Sequence, residues 1–306
     1  MTRPLPSFHW LLPLLLLTAC ATQPVQIKVV TPPRAEPIRA IHSTERPLVA
    51  LALGSGGERG FAHIGVIKAL EAAHIPVDIV VGTSAGSLVG ALYAGGYHAK
   101  ELEQLAMELE TGSLNDISIS RQGYIRGERL QDFINRSLNN RSIEDLDKPF
   151  AAIATELARG NAVAFNRGNT GLAVRASSSI PGMFQPANID GVDYVDGDLK
   201  DPVPVSIAQK MGANIVIAVD ISQKPGDSPE PTGIIDTLTQ SIRIMRQSIV
   251  NNELAKAQVV IRPAIGVTPD IDTSSKQWLI QAGERAGNAA LPQIRELLAR
   301  RSHPQP

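Results

Sequence analysis

Two glycine-framed segments, each placed directly after an apolar run, limit what this chain can fold into. Leu48–Leu53 is a continuous run of strand length and leads into Gly54-Ser55-Gly56-Gly57-Glu58-Arg59-Gly60. Val77–Val81, apolar but for Asp78, is the second run, followed by Gly82-Thr83-Ser84-Ala85-Gly86. Apolar runs without polar alternation suit strands buried on both faces, as in a parallel sheet covered by helices. Each glycine segment precedes a helical pattern: Ile64, Ile67 and Leu70 on one stripe, then Ala85–Ala94. Strand, tight turn and helix, given twice, predict an α/β fold. Both turns then lie at the C-terminal ends of neighbouring strands, where sites in open α/β sheets form.

The second segment is a G-x-S-x-G sequence, which at a strand-to-helix junction exposes a serine hydroxyl on a sharp turn. The first is rich in unobstructed backbone N–H groups at a helix start, suited to holding developing negative charge. Other readings of each exist. Ser84 alone could be a helix N-cap. The first loop fails as a dinucleotide site, because the third position of G-x-G-x-x-G is Arg59 and the second strand ends in Val81-Gly82 rather than in an acid. It fails as a P-loop for want of a lysine in the required place. Taken together, the two segments supply a nucleophile and an oxyanion hole, the equipment of a serine hydrolase. The base is less evident. Of six histidines, His9, His42, His63 and His74 precede Ser84, His98 lies just beyond its helix, and His303 lies three residues from the C-terminus. The Ser, Asp/Glu, His order of α/β-hydrolases is therefore disfavoured, and the base is sought among carboxylates and lysines. His63, one turn into the first helix, reads as a packed or capping residue.

Further on, Ser177-Ser178-Ser179-Ile180-Pro181-Gly182-Met183-Phe184-Gln185-Pro186 leads into Val192-Asp193-Tyr194-Val195-Asp196-Gly197-Asp198. With these blocks in order, the stretch from Pro47 to Ile261 resembles the patatin-like phospholipases. The resemblance implies a three-layer α/β/α sandwich with a mostly parallel central sheet. It implies Ser84 as nucleophile, Asp196 as base in a Ser–Asp dyad, and the N–H groups of Gly56 and Gly57 as oxyanion hole. Arg59 is the family's basic residue beside that hole. The resemblance implies no metal or organic cofactor, and a membrane phospholipid or lysophospholipid as substrate. This chain departs from the family pattern twice: Ser55 stands where the loop usually has glycine, and Asp198 stands where the dyad motif has glycine or alanine. A second carboxylate that close disfavours ionisation of the base. The acidic series Asp190, Asp193, Asp196, Asp198 and Asp201 does not match a calcium loop and reads as turn-forming.

The N-terminus has a separate logic. Residues 1–19 read as a signal peptide: Arg3 supplies the charge, Trp10–Leu17 a short apolar core, and Thr18-Ala19 the small residues before Cys20. Leu17-Thr18-Ala19-Cys20 resembles a bacterial lipobox, which implies cleavage before Cys20 and acylation of its sulfur. Cys20 is the single cysteine of the sequence, so it has no internal disulfide partner. Ala21 after it implies an outer-membrane lipoprotein facing the periplasm if the source has two membranes. Residues 20–46, with Pro24, Pro32, Pro33 and Pro37, read as an extended tether. Its ~25 residues at ~3.1 Å each would reach ~80 Å at most. A docked strand around Val25–Val30 is the alternative.

Residues 47–302 then fit one hydrolase domain. Hydrophobic residues make up 43% of the chain, enough for a sizeable core. The formal charge of −1 gives no electrostatic case for nucleic acid. Helices are expected over Glu101–Leu109 and Arg129–Leu138, around Ile235, Leu238, Ile242, Met245 and Ile249, and over Ser274–Arg300 with an interruption at Pro292. Strands are expected at Phe150–Thr155, Ala162–Phe165, Asn214–Val219 and Val259–Ile261. Two rival functions stand beside the lipid hydrolase: a short-chain esterase or thioesterase, and a catalytically idle periplasmic binding or regulatory lipoprotein.

Overall fold

The computed structural model describes residues 31–43, 46–110, 112–114, 116–117, 123–227, 230–266 and 272–302. The signal-peptide and lipobox residues, Cys20 included, and His303 lie outside that set.

Eight strands form one sheet. Its parallel part runs in the order β3 (Phe150–Glu156), β2 (Ile79–Thr83), β1 (Val49–Leu53), β7 (Ile215–Val219), β8 (Val259–Ile261). Every residue of β1, β2, β3 and β7 is buried, the structural counterpart of their mostly apolar sequences, with polar residues only at the ends of β2 and β3. In β1, Val49, Leu51 and Leu53 enter one apolar cluster, while Ala50 and Ala52 enter another on the opposite face. The first cluster is covered by α1 (Phe61–Ala72), α2 (Ala85–Ala94), α3 (Ala99–Glu108), α4 (Glu128–Ser137), α5 (Thr170–Ser177) and α8 (Thr273–Ser302). The second is covered by α6 (Val205–Lys210) and the C-terminal half of α7 (Ile234–Leu254). The expected three-layer sandwich is thus the observed one.

An antiparallel group completes the sheet and sets up the site. β4 (Ala162–Phe165) pairs with Ala152–Thr155 of β3 along one edge. On the other edge of β3, β2 pairs with residues 150–153, and β6 (Val192–Asp196) takes over at residues 154–156. β2 and β6 therefore share one edge of β3, end to end and in opposite directions. Thr83, the last residue of β2, and Asp196, the last of β6, pair with adjacent residues of β3. β5 (Ala187–Ile189) forms a hairpin with β6.

Three details differ from the sequence expectations. First, α8 runs through Pro292 without interruption. Proline removes one ladder bond and strains the preceding turn, but Ile294 is fully buried and Leu297 and Leu298 pack on the core. Burial on both sides of the proline keeps the helix in line. Second, the proline-rich segment is held against the domain from Thr31 onward. Thr31 O accepts from Asn169 N–H, Arg34 bridges Arg167, Ile41 N–H donates to Met211 O, and Ile38 packs on the second cluster. Residues 20–30, where the tether or a docked strand around Val25–Val30 is expected, lie outside the described residues. Third, the apolar stripe expected on α7 faces solvent rather than the core in its N-terminal half: Leu238, Ile242 and Met245 are exposed, while Ile235's side chain lies outside the described set. The irregular stretch before α4 flanks the site, as Tyr124 and Ile125 N–H both donate to Met183 O. Among the described residues, no helix is long and apolar enough to cross a membrane.

Candidate active site

Ser84 sits between β2 and α2 with φ 54° and ψ −123°, a left-handed conformation that a residue with a side chain rarely adopts. Gly82 and Gly86 make that turn possible. A Cβ at Gly86 would collide with the Leu53 carbonyl oxygen, and one at Gly82 with the Gly86 carbonyl oxygen. Without those side chains α2 starts hard against the ends of β1 and β2, and the turn has no room to relax. A further brace comes from α5. Ser84 N–H donates to Ser177 Oγ at 2.9 Å, and Ser177 Oγ donates to Ile153 O at 2.5 Å. Ser177 thus fastens the strained backbone to β3, a role the serine run alone did not reveal.

The end-to-end arrangement of β2 and β6 brings Asp196 to this turn. Ser84 Oγ donates to Asp196 Oδ2 at 2.6 Å, and both residues are buried. The other carboxylate oxygen accepts the N–H of Asp198 at 2.8 Å, and Asp196 N–H donates to Ser179 O at 2.9 Å. Burial, and next the charge of Asp198, push the Asp196 carboxyl up to about 7; the bonds from Ser84 and the Asp198 amide, with the charge of Arg246, oppose the rise.

The two departures from the family pattern meet in space. Ser55 Oγ donates to Asp198 Oδ1, and Arg246, from α7, pairs with the same oxygen at 2.5 Å. Arg246 Nη2 also donates to Ser55 Oγ at 2.9 Å. The serine and the aspartate are thus two corners of one partly buried triangle closed by Arg246. Arg246, not the neighbouring Lys200, is the ion-pair partner of Asp198. The sequence signal for the triangle was the joint occurrence of Ser55 and Asp198; nothing local pointed to Arg246, 191 residues from Ser55.

The first glycine loop leaves β1 toward the same place. Gly54 N–H bonds to Val219 O and Ser55 N–H to Pro202 O, which pins the loop's start. Among the described residues, the N–H groups of Gly56 and Gly57 donate to no protein acceptor. Gly57 takes φ 57°, open to glycine without strain. Gly60 lies so close to Ala85 that a Cβ there would collide with the Ala85 methyl, so the loop packs on the first residue of α2. Arg59 is buried and held down to about 10, first by desolvation and then by the positive Arg246 and Arg243. Asp220 is engaged by Arg262 at 3.1 Å, and no ion pair of Arg59 occurs among the described residues.

Among the described residues, histidine takes no part in the contacts of Ser84 and Asp196. His63 is fully buried, with Nε2 2.8 Å from Gly54 O, and burial pushes its pKa down to about 4. His98 caps α3 in a reciprocal arrangement with Glu101. Among the described residues, no group of three or more His, Cys, Asp or Glu could hold a metal ion. The acidic series around Asp196 accordingly shows no metal geometry.

Against known proteins, residues 51–208 match the family model described as patatin-like phospholipase. An NTE family protein of Mycobacterium tuberculosis is 36% identical over 212 residues, covering 66% of this chain and 58% of that one. Human patatin-like phospholipase domain-containing protein 6 is 36% identical over 184 residues, 58% of this chain and 13% of that protein. Lysophospholipase NTE1 of the yeast Scheffersomyces stipitis is 33% identical over 219 residues, 69% and 14% respectively. The chain spans under two thirds of the length of each of these relatives. Among solved structures, VipD of Legionella pneumophila aligns with a TM-score of 0.55 at 12% identity, over 87% of this chain and 70% of that one, a likeness of fold. On the family match, which takes in both glycine segments and the Asp196 motif, the chain belongs to the patatin-like phospholipase family.

Proposed function

We propose that this protein is a serine lipid acyl hydrolase working through a Ser84–Asp196 dyad. The observation that carries the reading is the 2.6 Å bond from Ser84 Oγ to Asp196 Oδ2, made at a strained turn, with no histidine among the described residues bonded to either side chain. Asp196 accepts the Ser84 proton as Oγ attacks an ester carbonyl. The Gly56 and Gly57 N–H groups, free of other acceptors, receive the oxyanion, and the N-terminus of α2 adds its dipole. Asp196 then returns the proton to the departing alcohol, leaving an acyl-serine. Water adds to the acyl carbonyl, gives its proton to Asp196, and releases the fatty acid as Ser84 recovers the proton. No step calls on a metal or an organic cofactor.

The substrate class, membrane phospholipid or lysophospholipid, rests on family membership together with the N-terminal sequence. Acylation of Cys20 would place the enzyme on a membrane, in a two-membrane bacterium the periplasmic face of the outer one. Several acyl chains, at about 0.8 kcal/mol per buried methylene, make such an anchor lasting. With the segment docked from Thr31, the 11 residues from Cys20 reach at most ~34 Å rather than ~80 Å.

Incubation with defined phospholipids and lysophospholipids, with products read by mass spectrometry, tests the substrate class. Free fatty acid and the matching deacylated lipid are expected. Cleavage of short soluble esters alone would move the assignment to an esterase. A fluorophosphonate probe should label Ser84 and no other serine; label on Ser177–Ser179, or none on folded protein, would overturn the dyad.

A further inference from the structure

The exposed apolar stripe of α7 is the feature of this surface that the hydrolase chemistry leaves unused. The helix changes character at Arg246. Beyond it, Val250 and Leu254 are 1% and 4% exposed and pack on the sheet. Before it, Ile234, Leu238 and Met245 are 81%, 60% and 64% exposed, with Ile242 also outward. These residues recur at helical spacing on one face, with the half-buried Ile249 continuing the line. Burial of such a face is the usual source of helix stability, yet among the described residues nothing covers it.

Chain direction places the stripe at the catalytic end. β7 finishes at that end, and α7 then runs back antiparallel to the strands before β8 begins. Arg246 touches Asp198 and Ser55 at the C-terminal edge of the sheet. The 12 residues from Ile234 to Met245, roughly 18 Å of helix, therefore rise past that edge beside the dyad. The far side of the dyad is also apolar and exposed. Ile180 and Met183 follow Ser179, which holds Asp196, and Tyr124 is bonded to Met183.

We infer that α7 from Ile234 to Met245, with the Tyr124, Ile180 and Met183 rim opposite, docks this enzyme on the surface of a lipid bilayer; the inference rests on the lipid-hydrolase reading. Three observations favour a bilayer over a protein. A protein lying across both rims would seal the dyad, whereas a bilayer supplies its substrate from that side. Between Thr237 and Met245 the helix carries a single charged residue, Arg243, so little charge has to be desolvated at an interface with lipid. The stripe offers a handful of apolar side chains, against the roughly 20–30 residues a side of a stable protein interface.

The test uses the full chain with Leu238→Trp and vesicles of phosphatidylethanolamine and phosphatidylglycerol carrying brominated acyl chains. The added indole should be quenched strongly relative to the parent protein. A Leu238→Glu, Met245→Glu double variant should hydrolyse vesicle lipid at least ten-fold more slowly, with its rate on a soluble short-chain ester within two-fold of the parent. Absence of quenching, or equal loss on both substrates, overturns the docking surface. A concentration-dependent dimer in sedimentation velocity, abolished in the double variant, would assign the stripe to a second copy instead. Should the parent cleave neither substrate, the hydrolase reading fails while the quenching result still decides the surface.

Discussion

The two sides of the Ser84–Asp196 pair are built in opposite ways. Ser84 is placed chiefly by neighbours in sequence, five residues of strand, a turn framed by Gly82 and Gly86, and the first residue of α2, with Ser177 as a brace from farther along the chain. Its position is a matter of backbone sterics, and its strain is enforced by close packing. Asp196 is placed by pieces gathered from the whole domain: the shared edge of β3, the carbonyl of Ser179, and a triangle made by Ser55, Asp198 and Arg246. Its position is a matter of topology, and its acidity is set by opposed charges. The lesson is that the elbow determines whether the chemistry is possible, whereas the acid side determines at what pH it runs.

Removing either member of the pair is the severest test of that division. Ser84→Ala and Asp196→Asn should each lower kcat/KM for ester hydrolysis by at least ~10³-fold, the scale expected when a covalent nucleophile or its base is deleted. The two losses should not add in the double variant, because the residues act as one unit. Single-variant rates within ten-fold of the parent, in well-folded protein, would remove the dyad from the mechanism.

A smaller effect, but one with a sign, comes from the triangle. Arg246 favours the ionised form of Asp196 and Asp198 disfavours it. Only the ionised form accepts the Ser84 proton, so the rate falls on the acid side, near the value of about 7. Arg246→Ala should move that limb to higher pH, with a roughly three- to ten-fold loss at pH 7 recovered in more alkaline buffer. Arg246→Lys should restore part of it. Asp198→Gly should move the limb to lower pH while leaving the plateau largely intact. Shifts in the same direction, or none in the kcat–pH profile, would mean that the triangle is merely structural.

How much of this was legible beforehand follows the same division. The elbow and the glycine loop declare themselves because their determinants are consecutive: apolar run, glycines, helix. The parallel strands were readable too, since burial on both faces leaves continuous apolar sequence. The β5–β6 hairpin was not, because residues 192–194 are only partly buried and the strand carries aspartates at both faces. Arg246 was hidden on a helix that the sequence marked by Ile235, Leu238, Ile242, Met245 and Ile249, whereas its body-facing residues are Arg246, Val250 and Leu254. Periodicity identifies a face but does not say what covers it. Pro292 was read as a break because the local rule is sound; burial of Ile294 outweighed it.

His63 gives the mildest expected effect and separates the two sides most sharply. It lies against the glycine loop, near enough to suggest a third catalytic partner, yet its Nε2–H donates only to the Gly54 carbonyl. Burial keeps the ring neutral down to about pH 4. A glutamine side-chain amide can donate a comparable bond, so His63→Gln should leave kcat/KM within about three-fold and the pH profile in place. Its signature should appear in stability instead. In the unfolded chain a histidine takes up its proton near pH 6.5, ahead of the folded chain, so folding stability contributed by the buried neutral ring is lost as pH falls from about 6.5 toward 4. Asp196 works in the opposite sense. Its folded pKa lies above the unfolded value of 3.8, so its ionisation costs stability as pH rises from there toward about 7. Replacing His63 should therefore leave a protein whose melting temperature declines less between pH 6.5 and 4 than the parent's. A melting curve with unchanged pH dependence would show that the imidazole is not buried neutral. Displacement of the kcat–pH profile by His63→Gln would bring histidine into the proton path.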